Sequence, residues 1–279
     1  MATEPAEYDA IAEHYKAFKQ LPFVQFAEHY TLQEVLAKKH PGLFCGSFLP
    51  TEEWTSAISG LSILDLACGD GIYSRMMKRG GASEVLGVDL SPEMVALAEK
   101  AEAAEPLGCK FMVGDASKLD LGVEHEGRYD IILCIWLLNY AQNTAQLEAM
   151  VAGAFRYLKP GGRVVGINDW PENPLRSYSL YQPYGFIKVS SEDPDAPRKP
   201  GTRIEIVLSP PDNSRISFHT WVHPVEAYQA AFDRAGFADF LWLPPIISKE
   251  GISQKPPGYW DTLLSDPPFK ALCATKPVL

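Results

Sequence analysis

Basic runs are missing from this sequence. Its 25 Lys and Arg are outnumbered by 35 Asp and Glu across 279 residues, a formal charge of −10, and no Lys/Arg-rich segment occurs. Binding a phosphate backbone requires clustered positive charge. The balance therefore argues against a nucleic-acid partner and favours a small-molecule one. Cysteine is sparse as well: Cys45, Cys68, Cys109, Cys134 and Cys273 are odd in number and scattered, with no C-x-x-C pair. A disulfide framework or zinc site is not expected, and reduced thiols in the cytoplasm are. The stretch Met1 to Tyr15 is acidic and has no apolar h-region, so no secretory signal is expected there. The longest apolar run, Ile131 to Leu138, is far too short to span a bilayer.

What is present is an ordinary globular composition, 46% hydrophobic and 22% charged, with strand and helix signals in alternation. Tyr8 to Leu36 has helical spacing, interrupted at Leu21-Pro22. Ser62 to Ala67 reads as a buried strand and Ile72 to Arg79 as a helix stopped by Gly80-Gly81. Glu84–Asp89 follows as a strand, then a helix capped by Ser91 and Pro92 that runs to about Ala104. Lys110–Val113 and Tyr129–Ile135 are further strands. A helix over Thr144–Leu158 and a strand over Arg163–Ile167 flank the turn Lys159-Pro-Gly-Gly162. Such alternation implies an α/β fold with a mostly parallel sheet and helices on both faces. Residues 170–201 show no clear period. Thr202–Leu208 and Arg215–Val222 read as an antiparallel pair, Pro224–Ala235 as a helix, and Phe237–Leu243 with Phe269–Thr275 as edge strands. No linker or repeat divides the chain. It is read as one unit over 1–279: an N-terminal helical lid over 1–50, a cofactor-binding core over 60–168, a substrate-side insertion over 169–223 and a C-terminal helix with edge strands over 224–279.

Asp65-Leu-Ala-Cys-Gly-Asp-Gly71 falls where the first strand meets the first helix. Small residues there admit a ligand close to the backbone, and the helix start offers free N–H groups. A dinucleotide site would need G-x-G-x-x-G, but Ser74 stands at the third glycine, and the carboxylate of Asp65 suits a pyrophosphate badly. Asp89 ends the second strand, placed to accept both ribose hydroxyls. Asp115-Ala116 follows the third strand, placed to meet an adenine amino group. Each acid taken alone is equally a helix cap. Three at successive strand ends suit an adenosine ligand without phosphates.

The motifs Leu64-Asp-Leu-Ala-Cys-Gly-Asp-Gly71, Gly87-Val-Asp-Leu-Ser-Pro-Glu-Met94, Gly114-Asp-Ala116 and Leu158-Lys-Pro-Gly-Gly162 resemble, in order, those of class I S-adenosylmethionine-dependent methyltransferases. Ala67 stands where the family's first glycine usually does. Tyr8 to Tyr15, Leu21-Pro22, Tyr30-Thr31, Leu138 to Ala141, Gly166 to Asn168, Tyr184 to Phe186 and Asp266 to Pro268 resemble a subgroup that includes the toxoflavin-biosynthesis methyltransferase. The resemblance implies a Rossmann-like seven-stranded sheet with an insertion after the fifth strand. It implies S-adenosyl-L-methionine as cofactor and S-adenosyl-L-homocysteine as product. It also implies that Asp65, Ala67, Gly69 and Gly71 surround the methionine moiety and that Asp89 holds the ribose. Leu90 and Met94 would pack on the adenine, Asp115 and Ala116 bind its edge, and Cys134 lie beneath the sulfonium.

Methyl transfer needs an aligned acceptor and exclusion of water. An aromatic lid is expected from Tyr8, Tyr15, Phe18, Phe23 and Tyr30 with Tyr178, Tyr181, Tyr184 and Phe186, and within it Tyr15 and Tyr30 would contact the cofactor. Ordinary core packing explains many such aromatics equally well. Asn139, Tyr140, Asn168 and Tyr184 are the candidate acceptor contacts, since strand ends open on the ligand crevice. Asp169, His219 and Tyr15 are the candidate catalytic groups, with turn formation the competing role for Asp169 and a structural one for His219. Asp169, Glu172 and Asn173 are spaced poorly for a metal, and none is expected. Asp266-Pro-Pro-Phe269 resembles an adenine-N6 methylase signature but precedes the last strand, so it reads as a loop. The expected activity is methylation of N or O on a small molecule in specialised metabolism. A protein or RNA methyltransferase and a non-methylating cofactor-binding scaffold are the alternatives.

Overall fold

The computed structural model describes residues 19–37, 52–193, 198–209 and 216–278. A π-helical turn, Val24–Glu28, leads into α1 (His29–Ala37). After α2 (Glu52–Ile58) the chain alternates through β1 (Ser62–Leu66), α3 (Ile72–Arg79), β2 (Glu84–Asp89), α4 (Pro92–Ala104), β3 (Cys109–Val113), β4 (Tyr129–Ile135), α5 (Thr144–Tyr157) and β5 (Leu158–Asp169). Three strands follow, β6 (Phe186–Val189), β7 (Thr202–Leu208) and β8 (Ile216–Val222). The described chain ends with α6 (Val225–Ala235), β9 (Ala238–Leu243), α7 (Lys249–Gln254), α8 (Asp261–Ser265) and β10 (Phe269–Thr275).

The main sheet has seven strands in the order β3-β2-β1-β4-β5-β10-β9. The first five are parallel, and β10 runs antiparallel to both of its neighbours. This is the expected α/β architecture, edge pair included. Its order reverses at β1, so the ends of β1, β2 and β4 open on a common crevice. Local chemistry sets the boundaries. Ser91 accepts from the Met94 N–H with Pro92 in the first turn of α4, and Asn143 caps α5 through the Gln146 N–H. β1 is buried along its whole length, as a central parallel strand covered on both faces must be.

Side-chain parity along β5 divides the molecule. Val165, Ile167 and Asp169 face the side of α1, α3 and the small sheet, whereas Val164 and Asn168 face α5 and α6. α1 is fixed to that first face by Arg163, whose guanidinium donates to the carbonyls of Val35 (3.1 Å) and Leu36.

Residues 170–201, which show no period in the sequence, contain a 3₁₀ helix over Leu175–Tyr184 and then β6. Tyr178, Tyr181 and Tyr184 recur every third residue, so in a helix of three residues per turn they eclipse on one buried stripe. β6, β7 and β8 form an antiparallel sheet that packs over the C-terminal ends of β4 and β5. Its inner face carries Phe186, Lys188, Ile206, Leu208, Phe218 and Thr220. Among the described residues no helix is long and apolar enough to cross a membrane.

Candidate functional site

Asp65 sits near the end of β1, fully buried, and accepts a hydrogen bond from Ser74 Oγ (2.6 Å) through Oδ2. Its Oδ1 has no partner. Burial pushes its pKa up to about 7. The Ser74 bond opposes that rise, and the nearby Asp89 charge adds to it. Beyond Asp65 the backbone turns left-handed at Ala67 (φ 61°), Gly69 (54°) and Gly71 (78°). Ala67 pays the ordinary cost of that conformation, about 1–2 kcal/mol, at the position where the resembled motif has glycine. A Cβ on Gly71 would lie 2.8 Å from the Phe111 ring, so the loop is held tight against β3 before α3 begins.

Asp89, at the end of β2, accepts from the Gly69 N–H (2.8 Å) and the Ser91 N–H (2.9 Å). Its carboxylate is thereby fixed beside the glycine loop. Leu90, next to it, is 57% exposed, an apolar surface left at the crevice. Asp115 is partly committed as a cap. It accepts from the Ser117 N–H (2.8 Å) and hydroxyl (2.7 Å) and pairs with Lys118. Ala116 opens the 3₁₀ turn that follows. Parallel pairing of β1, β2 and β3 puts the three acids at one edge of the sheet. Tyr30, on α1, hydrogen-bonds Glu34, and its hydroxyl is pushed up to about 12 by burial and that carboxylate.

Next to this edge lies a mainly apolar pocket. Phe23, Trp136, Phe186, Ile206, Leu208, Phe218 and Phe269 make its walls. Its polar groups are Asn139, Tyr140, Asp169, Lys188 and Thr220. Asp169 is 2% exposed and Lys188 4%. Lys188 Nζ donates to Asp169 Oδ1 and to the Pro268 carbonyl, both at 2.7 Å, while Thr220 Oγ1 donates to Asp169 Oδ2 (3.0 Å). Burial lowers the Lys188 pKa, and the Asp169 charge opposes that. Asn139 is also buried, with no partner for Oδ1.

The site gathers Asp65, Ala67, Gly69, Gly71, Asp89 and Leu90 at one edge and Asn139, Tyr140 and Asp169 in the adjoining pocket. Other expected members fall elsewhere. His219 alternates with the pocket-lining Phe218 and Thr220 on β8, so it faces away from the cavity and cannot act there as a base. Asn168 points to the opposite face of the sheet, donating to Tyr228 Oη (3.2 Å) and the Asp169 carbonyl. Tyr184 is a core anchor: its hydroxyl donates to the Tyr259 carbonyl and accepts from the Leu263 N–H, and its ring stacks on Trp260. Tyr178 and Tyr181 are likewise committed, to Arg198 and to the Asp266 carbonyl.

Cys134 and Met94 are buried. Cys134 belongs to the core on the α5 and α6 face, where burial holds its thiol above the ordinary range. Asp169 reaches the pocket, but both its oxygens are engaged. It is the anchor of Lys188 rather than a free base. Tyr15, expected at both sites, lies outside the described residues, as do Tyr8 and Phe18.

Lys188 and Thr220 were not singled out from the sequence, nor was Trp136. A weak signal existed for Lys188: Phe186-Ile-Lys-Val189, after a left-handed Gly185, alternates as a short strand that places Phe186 and Lys188 on one face. Trp136, left-handed at φ 58°, donates its Nε1–H to Glu28 (2.9 Å), and Tyr73 also hydrogen-bonds Glu28. Asp266-Pro-Pro268 is the expected loop, and it supplies the carbonyl that holds Lys188.

Residues 63–162 match a family model described as a methyltransferase domain. Among curated proteins, the demethylmenaquinone methyltransferase of Thermus thermophilus is 33% identical over 46% of this chain and 55% of its own length. The ubiquinone biosynthesis O-methyltransferase of Xanthomonas oryzae pv. oryzae is 31% identical over 38% of this chain and 42% of its own length. The matched region thus spans about half the length of these relatives.

Among solved structures, the CcbJ methyltransferase of Streptomyces caelestis superposes with a TM-score of 0.61 at 16% identity, covering 99% of this chain and 100% of that one. An S-adenosylmethionine-dependent methyltransferase from Mesorhizobium loti gives 0.53 at 23% identity, covering 80% of this chain and 97% of that one. These superpositions establish the fold.

Proposed function

We propose that this chain, which carries a class I methyltransferase domain at residues 63–162, transfers a methyl group from S-adenosyl-L-methionine to N or O of a small molecule. The observation that carries the reading is Asp65, a buried carboxylate with one oxygen unpartnered, at the foot of a left-handed loop whose far side is fixed by Asp89. A buried carboxylate without a partner is costly unless a cationic or donor group completes it. The ammonium of the cofactor's methionine end is such a group. Ala67, Gly69 and Gly71 would hold that end, Asp89 the ribose, Leu90 the adenine face, and Asp115 with Ala116 its edge. Three carboxylates at successive strand ends suit adenosine without phosphates. When bound, the cofactor supplies an activated methyl group.

The chain's own contribution is alignment and the exclusion of water. Apolar walls keep the acceptor dry, and Asn139, Tyr140, Lys188 and Thr220 fix its polar atoms. Relatives named for menaquinone and ubiquinone biosynthesis support a ring-bearing acceptor. Most pocket residues lie outside 63–162, however, so the acceptor is specific to this chain's own insertion, as in specialised metabolism. The four described cysteines are free and buried, in keeping with the cytoplasm, and the −10 charge speaks against a nucleic-acid substrate.

Calorimetry with S-adenosylhomocysteine tests the cofactor site. Asp89→Ala is expected to weaken binding at least about tenfold, since it removes both the ribose acceptor and the anchor of Gly69, a charge-assisted contact of about 1.5–3 kcal/mol. Unchanged affinity would sink the assignment. Transfer of label from the methyl-labelled cofactor into a metabolite extract tests the activity, because a scaffold transfers none.

A further inference from the structure

The methyltransferase reading leaves the acceptor atom open, and the Asp169–Lys188 pair narrows it. Lys188 lies on β6 and lines the pocket, and among the described residues that line it Lys188 is the one cation. Two of its three N–H bonds are taken, by Asp169 Oδ1 and the Pro268 carbonyl. The Tyr178 ring lies 5.5 Å away. The third N–H has no oxygen partner, which leaves it for an acceptor in the pocket that Lys188 lines. Asp169 is itself held by Thr220, so the ammonium is fixed within a buried, apolar cavity.

We propose that Lys188 selects an acceptor whose reacting atom is an ionisable hydroxyl oxygen, a phenol or enol on an apolar ring, and that it holds this oxygen as its anion. The inference rests on the methyltransferase reading. An amine has one lone pair, and a hydrogen bond from Lys188 would consume the electrons needed for attack. A phenolate oxygen accepts that bond and keeps further lone pairs for the methyl carbon. Charges also close. Lys188 and Asp169 cancel, and the anionic oxygen is balanced by the positive sulfonium of the donor. The hydroxyl proton leaves to solvent as the acceptor binds. An oxygen lone pair then forms the O–CH₃ bond while the electrons of the S–CH₃ bond remain on sulfur, giving an ether and a neutral thioether. Asn139, with its unpartnered buried Oδ1, is placed to accept from a second donor on the ring.

The test uses the full chain saturated with S-adenosylhomocysteine, whose binding is measured first. Failure of that binding would overturn the cofactor reading itself. The probes are para-nitrophenol, whose ionised form is coloured, and para-nitroaniline, its amine counterpart of equal size. The bound phenol is expected to ionise at least about one pH unit below its value in free solution, because a charge-assisted hydrogen bond from Lys188 favours the anionic oxygen over the neutral hydroxyl. The amine is expected to bind at least about tenfold more weakly.

Lys188→Met alone strands a buried Asp169, so the informative variant is Lys188→Met with Asp169→Asn, which removes both charges together. It should retain its affinity for S-adenosylhomocysteine, lose the ionisation shift, and bind the two probes about equally. An unshifted or raised ionisation midpoint in the parent chain, equal binding of the amine, absence of saturable binding of the phenol, or a shift that survives in the double variant would each overturn the proposal.

Discussion

Asp65→Asn is expected to stabilise the ligand-free protein while weakening S-adenosylhomocysteine binding at least about tenfold. The stability half follows from linkage. Asp65 has a folded pKa of about 7, raised mainly by burial from 3.8. The folded state therefore holds a proton that the unfolded chain has released between those values. Stability contributed by this group is greatest below pH ~4, declines as pH rises toward ~7, and stays at its lowest above that. Asparagine has no such slope. The full shift of about three units at 1.36 kcal/mol each sets an upper bound of roughly 4 kcal/mol on the gain above pH 7. The new Nδ2, left where Oδ1 had no partner, takes back about 1–3 kcal/mol. A net gain of about 1–3 kcal/mol is expected, read as a higher urea midpoint at pH 8 and no gain at pH 5.

The binding half runs the other way. The methionine ammonium wants a carboxylate, which the amide does not offer. For the parent chain, affinity should also fall as pH drops through about 7, by up to tenfold per unit, as Asp65 takes up its proton. A variant less stable than the parent at pH 8, or a parent affinity flat between pH 6 and 8, would refute the role given to Asp65.

The legible parts of this fold were those whose cause is local. Ser91-Pro92 starts α4 and Gly236 ends α6 through chemistry carried by the residues themselves. β1, β2 and β4 show as apolar runs because central parallel strands are buried on both faces. The acids at Asp65 and Asp89 could be placed because strand ends are where a doubly wound sheet opens.

What could not be read was which face of a strand meets the pocket. Asn168 and Asp169 are neighbours in the sequence, and only the packing of α6 through Tyr228 on one side and of β6 through Lys188 on the other tells them apart. His219 failed for the same reason, one residue out of phase with Phe218 and Thr220. The tyrosines at 178, 181 and 184 carried a period of three that a search for 3.6 or 2 passes over.

Glu28 was hidden by a further irregularity, and replacing it should have the largest effect on stability. It ends a π-helical turn, a geometry that shifts the register of the following helix and recurs at functional sites. Fully buried there, it bonds Tyr73 on α3, just past the glycine loop, and Trp136 on the pocket wall. One carboxyl group thus ties the cofactor loop to the acceptor cavity. Burial raises its pKa to about 7, with the Lys19 charge and the Trp136 bond opposing the rise. His29 beside it is held near 4, by burial first and then by Lys19, and is neutral in this range.

Glu28→Ala strands the Tyr73 hydroxyl and the Trp136 N–H together, at about 1–3 kcal/mol each, so a total loss of about 2–6 kcal/mol is expected in urea unfolding. Glu28→Gln keeps an acceptor for one donor and presents an N–H to the tyrosine oxygen. It should match the parent within about 1 kcal/mol at pH 5. Above pH 7 it should exceed the parent, since the folded chain must then bury the Glu28 charge that the unfolded chain carries from pH ~4.5 upward. A Glu28→Ala loss below 1 kcal/mol would show that the two donors find other partners and that the tie is not structural. A Glu28→Gln variant as damaged as the alanine at both pH values would show that an amide cannot serve the two donors, and would overturn the expected rescue.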